Sequence, residues 1–97
     1  SPMKLLGKKP LPDFKRRHTD AKKKIEAWES EVEDASWKTP HEMKQQYPTA
    51  DPVGGKNTIF NICGNKYRLW ALIDYENQIV FIKAVGTHAE YEKWKII

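Results

Sequence analysis

The pair Gly64-Asn65, set between two runs of alternating apolar and polar residues, constrains this chain more than any other feature. Such a pair closes a tight two-residue hairpin, because both residue types tolerate the left-handed backbone that the turn requires. Strands are therefore expected over residues 57–63 and 66–74. A two-residue loop also fixes their register: Cys63 faces Lys66, Ile62 faces Tyr67, Asn61 faces Arg68, Phe60 faces Leu69 and Ile59 faces Trp70. Side chains alternate across a sheet, so Phe60, Ile62, Tyr67, Leu69, Ala71 and Ile73 share one face, the core face. Asn61, Lys66, Arg68 and Trp70 are expected on the other. Arg68 then projects from a central strand beside an amide, a rigid platform for phosphate oxygens.

The rest of the chain organises around this hairpin. A third strand is expected over residues 78–85, after a turn at Tyr75-Glu76-Asn77. Upstream the period is helical. Pro10 and Pro12 suit the first turn of a helix through Phe14 and Arg17. Thr19 or Asp20 can cap a second helix, whose stripe Ala21, Ile25, Trp28, Val32 and Ala35 keeps a spacing of four and three residues. Thr39-Pro40-His41-Glu42 is a capping box that opens a short third helix, ending near Tyr47-Pro48. Lys4-Leu5-Leu6 reads as a short opening strand, and the residues from Asp51 to Gly55 read as a loop. Thr87-His88-Ala89-Glu90 is a second capping box, so a last helix should begin at His88 and run toward Trp94. Helices first and strands after predict an α+β domain, with the N-terminal helices packed on a small, mostly antiparallel sheet.

Ninety-seven residues make a single domain, expected over residues 3–97, since Ser1-Pro2 ahead of Met3 reads as a cloning remnant. No apolar run approaches the roughly 20 residues that cross a bilayer, and nothing resembles a signal peptide. The single Cys63 suits a reducing cytoplasm. Charge is distributed unevenly. Residues 1–25 carry nine Lys/Arg against two acids, residues 26–55 two against seven, and residues 56–97 six against four. The basic N-terminal part, including Lys22, Lys23 and Lys24, is suited to a phosphate backbone without reading sequence, although a solvated helix face has the same composition.

Several chemistries lack their residues. His18, His41 and His88 are scattered and no ligand pair has zinc spacing, so no metal and no other cofactor is expected. Gly54-Gly55 is a turn rather than a phosphate loop. Ser30 and Ser36 assemble no triad, and His18 and His41 read as surface residues near helix starts. Trp28, Trp37 and Trp94 read as packing residues. The C-terminal stretch is richer. His88 and Tyr91, three residues apart on a helix, can project together, and Lys83 precedes them on the last strand. Metal-free RNA cleavage needs a base for the 2′-hydroxyl, cations for the phosphorane and an acid for the 5′-oxygen. Arg68, His88, Tyr91 and Lys83 are thus the catalytic candidates. Asn61, Lys66 and Trp70 are RNA-binding candidates, Trp70 as a stacking surface. The residues alone also allow a helix capped by Thr87, with His88 solvated and Tyr91 packed in the core. They also leave open a non-catalytic RNA-binding module, or a protein-interaction domain whose acidic middle segment docks a basic partner.

The order Asp13-Phe14, His18-Thr19-Asp20-Ala21, Trp28, Ala35-Ser36-Trp37-Lys38-Thr39-Pro40 and Tyr47-Pro48 resembles the HigB family of toxins. The stretch from Phe60 to Leu69 and the ending Val85-Gly86-Thr87-His88-Ala89-Glu90-Tyr91 match that family most closely. The resemblance implies a RelE-like fold and ribosome-dependent cleavage of messenger RNA. It also implies neutralisation by a HigA-type helix-turn-helix antitoxin, with operator DNA bound only through that complex. By motif position it carries Arg68, His88 and Tyr91 over as active-site residues, with Lys83 and Asn61 in support. The catalytic set varies among RelE-like toxins, so which group is acid and which is base stays open.

Overall fold

The computed structural model describes residues 2–96. Its elements run β1 (Lys4–Leu6), α1 (Pro10–Arg17), α2 (Thr19–Asp34), α3 (Pro40–Gln46), β2 (Asp51–Gly54), β3 (Asn57–Ile62), β4 (Tyr67–Asp74), β5 (Ile79–Thr87) and α4 (His88–Tyr91). The five strands form one sheet in the order β1-β5-β4-β3-β2. Among the described residues only β1 and β5 pair in parallel, so the expected α+β domain with a mostly antiparallel sheet is what forms.

The hairpin register is the one the turn predicts. Ile62 faces Tyr67, Asn61 faces Arg68, Phe60 faces Leu69 and Ile59 faces Trp70. The turn itself differs from the expected two-residue form: Cys63 (φ 55°) and Gly64 (φ 65°) are left-handed and Asn65 is not. The ladder therefore stops one pair early, and the Cys63 carbonyl accepts the Lys66 N–H at 3.2 Å as a turn bond. Phe60, Ile62, Tyr67, Leu69, Ala71 and Ile73 are all buried, against Leu11 and Phe14 of α1 and Ala21, Ile25, Trp28 and Val32 of α2. The helices thus cover one face of the sheet, and the other face is left for α4 and the residues after it. In β5 the pairing slips between Ala84 and Ile82, which leaves Lys83 as the extra residue of a bulge.

Three local expectations are corrected. The segment read as a loop from Asp51 contains the edge strand β2, whose bonds come from β3; Pro52 is tolerated there because an edge strand leaves one side unpaired. The cap position of α2 falls on His18, not on Thr19 or Asp20, and no side chain caps the helix. His18 is half-buried rather than simply a surface residue, its ring lying 4.4 Å from Phe14 and 5.0 Å from Tyr67. Trp94 is a packing residue as expected, and its partners are Trp70 at 6.0 Å and Tyr91 at 5.8 Å, on the sheet face away from α1 and α2.

Gly7 joins β1 to α1 where only glycine fits. Its φ is +74°, and a Cβ there would stand 2.6 Å from the Ile82 carbonyl oxygen. Gly7→Ala should therefore destabilise the fold by about 1–3 kcal/mol, read as a lowered midpoint in urea with an unchanged m-value. An unchanged midpoint would mean that the β1–α1 connection yields freely.

Candidate active site

The site is built where the uncovered sheet face meets α4. Arg68 stands on β4 opposite Asn61 of β3. Its Nη1 donates to the Asn65 carbonyl at 3.0 Å and the Tyr67 carbonyl at 3.3 Å. Among the described residues its Nε and Nη2 have no hydrogen-bond acceptor, so one edge of the guanidinium remains open to an anion. The guanidinium carbon lies 5.4 Å from the centroid of the Tyr91 ring, within the range of a cation–π contact.

Tyr91 is aimed by local chemistry. Both halves of the predicted capping box form: Thr87 Oγ1 accepts the Glu90 N–H at 3.2 Å, and Glu90 Oε1 accepts the Thr87 N–H at 2.9 Å. That backbone bond holds the Glu90 carboxyl below its ordinary range. Gly86 permits the closure, since a Cβ there would stand 3.0 Å from Glu90 Cβ and 3.1 Å from the Trp94 ring.

Arg68, Tyr91 and Asn61 together wall an open pocket of about 360 Å³. Asn61 Nδ2 donates to the Thr49 carbonyl at 2.9 Å, which ties β3 to the segment leading into β2. The lining also includes Lys44, Thr49 and Asp51, none of which the sequence singled out. Asp51 pairs with Ile59 across β2 and β3, so it shares the face of Asn61 and Arg68. Lys44 follows the fully buried Met43 and therefore turns outward from α3. The only sequence signal for Lys44 is that alternation at the end of a capped helix. Asp51 gives none, because its turn-like neighbours hide the strand.

The other candidates divide into separate groups. His88 is not among the residues lining the pocket. Its Nδ1 is 3.0 Å from Glu92 Oε1, its ring centroid is 6.0 Å from that of Tyr91, and its N–H donates to the Lys66 carbonyl at 3.2 Å. Trp70 donates from Nε1 to Asn57 at 2.9 Å, between Trp94 at 6.0 Å and the Lys83 ammonium at 5.7 Å from its ring. Lys83 and Trp70 thus form a second group on the same face, off the pocket. Lys66 does not join that face: its ammonium pairs with Asp20 at 2.6 Å, because it sits in the turn rather than in the ladder. Lys22, Lys23 and Lys24 are exposed on α2 in the other layer. Lys24 lines a groove of about 240 Å³ that also reaches Asn61, and Lys22 lines a cleft with Lys15 and Arg16. Among the described residues no three His, Cys, Asp or Glu side chains converge as a metal site.

The family model described as HigB toxin, RelE-like toxic component of a toxin–antitoxin system, matches residues 21–94. The mRNA interferase toxin HigB of Escherichia coli strain K12 is 29% identical over 92 residues, which cover 93% of this chain and 88% of that protein. The mRNA interferase HigB of Escherichia coli O6:H1 is 26% identical over 93 residues, covering 94% of this chain and 90% of its own. Every residue that lines the pocket, from Lys44 to Tyr91, falls within residues 21–94.

Proposed function

The chain belongs to the HigB toxin family, the RelE-like toxic component of a toxin–antitoxin system, and on that premise we propose that it is an endoribonuclease that cuts messenger RNA on the ribosome without a resident metal. The observation that carries the reading is the Arg68–Tyr91 pair on one wall of a polar pocket. Cleavage of this kind joins the 2′-oxygen to phosphorus as the bond to the 5′-oxygen breaks, leaving a 2′,3′-cyclic phosphate and a 5′-hydroxyl. Arg68, with an open guanidinium edge, binds the phosphate oxygens and offsets the charge they gain. The 2′-hydroxyl gives up one proton and the departing 5′-oxygen takes one up; Tyr91 is the proton-transfer group inside the pocket, and the His88 ring centroid lies 6.0 Å from its own. Asn61 and Lys44 position the RNA, and Lys83 with Trp70 extends the path along the sheet face. The relatives named above as mRNA interferases support the same reading.

The partner is an antitoxin, which we take to be a HigA-type helix-turn-helix protein that brings the complex to operator DNA. No helix among the described residues is long and apolar enough to cross a membrane. The proposed location is the cytoplasm, where ribosomes and messenger RNA are met.

The direct test is mapping of cleavage sites in cellular messenger RNA after brief induction, with Arg68→Ala as the control. Cuts that appear with wild type and vanish with the variant are expected; equal patterns for both would defeat the reading. Cleavage of free RNA, or of RNA on ribosomes kept intact, should persist in excess chelator, and activity restored only by added Mg²⁺ or Zn²⁺ would show a required metal. Replacing Lys22, Lys23 and Lys24 together should lower ribosome affinity and flatten its salt dependence by about three units of log–log slope, one for each lost phosphate contact, with cut sites unchanged. A shifted cut-site preference at constant affinity would show that those lysines read bases.

A further inference from the structure

We propose that Asp20, which lies outside the pocket, is a positioning residue for it: Asp20 fastens the hairpin turn on which Arg68 is steadied and to which the start of α4 is tied. The role rests on the cleavage reading above.

Asp20 sits in the first turn of α2, where an acid ordinarily caps the helix or complements its dipole from solvent. Here the side chain leaves the helix. Oδ2 accepts the Lys66 ammonium at 2.6 Å and Oδ1 accepts the Tyr67 hydroxyl at 2.8 Å, while the Asp20 carbonyl meets Cys63 Sγ at 3.6 Å. One residue of α2 thus holds three of the five residues from Cys63 to Tyr67. The same turn serves the site from its other side. Its Asn65 carbonyl accepts Arg68 Nη1 at 3.0 Å, and its Lys66 carbonyl accepts the His88 N–H at 3.2 Å. The tie thus runs from α2 through side-chain bonds to Lys66 and Tyr67, along the backbone of the turn, and by carbonyl bonds to Arg68 and α4.

The turn needs such a tie. Cys63 holds φ 55°, a left-handed conformation that a non-glycine residue keeps only where its surroundings enforce it. Lys66 and Tyr67 keep the Asp20 carboxyl below its ordinary range, so it is ionised and engaged at neutral pH. An exposed ion pair of this kind adds little stability. Its consequence is geometric: with the turn released, the carbonyl that orients Arg68 moves, and a small displacement of a phosphate-binding group costs rate out of proportion to stability.

The experiment is a double-mutant cycle in single-turnover cleavage of ribosome-bound messenger RNA, with wild type, Asp20→Ala, Arg68→Ala and the double variant. Asp20→Ala alone should slow cleavage about tenfold, and the loss should shrink to within about twofold once Arg68 is alanine. Amide hydrogen exchange on the free protein should quicken about tenfold at Lys66 and His88 in Asp20→Ala, with Leu69 in mid-strand unchanged. Should Asp20→Ala fail to fold, Asp20→Asn keeps an acceptor for Tyr67 while removing the charge opposite Lys66, and the same pattern is expected at smaller amplitude. Equal slowing in both Arg68 backgrounds, or unchanged exchange at Lys66 and His88, overturns the role. An active wild type with an equally active Asp20→Ala variant overturns it alone, whereas a wild type that cuts no RNA overturns the function reading and this role with it.

Discussion

Replacing Arg68 with alanine should slow single-turnover cleavage of ribosome-bound messenger RNA by about 10²–10³-fold, the range for removing one preorganised donor from a developing oxyanion. The expectation follows from position. Arg68 is fixed by a central strand and by two carbonyls on Nη1, so its remaining edge is already oriented before RNA arrives. A group oriented in advance loses little by reorganising at the moment of reaction. Arg68→Lys should recover only part of the rate, since an ammonium restores the charge but not the two-pronged fork. Arg68→Ala should keep its circular dichroism spectrum and its affinity for antitoxin, because the residue is outside the hydrophobic core. A folded Arg68→Ala variant that cuts at the wild-type rate would remove Arg68 from the mechanism.

Tyr91→Phe should cost about 10²–10⁴-fold in the same assay, the span for losing a general acid or base. His88→Ala should cost far less, about tenfold or under, by the same measure. The two residues looked equivalent at a spacing of three, yet Tyr91 lines the pocket with Arg68 while His88 turns to Glu92. Tyr91→Phe retains the ring that faces Arg68, so a large loss would belong to the hydroxyl alone. The reverse order, a severe His88→Ala defect beside a mild Tyr91→Phe defect, would transfer the proton step to the imidazole and require the His88–Glu92 contact to open when RNA binds.

The parts of this protein that its sequence determined are those that local physics governs. Gly64-Asn65 and a period of two set the β3–β4 register, so the core face and the outward placement of Arg68 followed without knowledge of the rest. Thr87 and Glu90 form their reciprocal cap within four residues, which located the start of α4. Thr39 likewise caps α3, although Glu42 reaches back to the Lys38 N–H at 2.7 Å rather than to that of Thr39.

Tertiary structure alone decided the rest, because the deciding partners are distant in the chain. The strand at Asp51–Gly54 exists only because β3 supplies its hydrogen bonds; alone, Pro52 and Gly54 favour a turn. Lys66 left the face that strict alternation gave it because Asp20, 46 residues upstream, offers a carboxylate just where the ladder ends. The joining of Lys44 and Asp51 to Arg68 and Tyr91 in one pocket, with His88 left out of it, arises where residues of α3, β2, β4 and α4 meet. Alternation and capping act over a few residues and can be read from a string. A pocket is made where unrelated segments meet, and that meeting is set by how helices and strands bury their shared apolar faces.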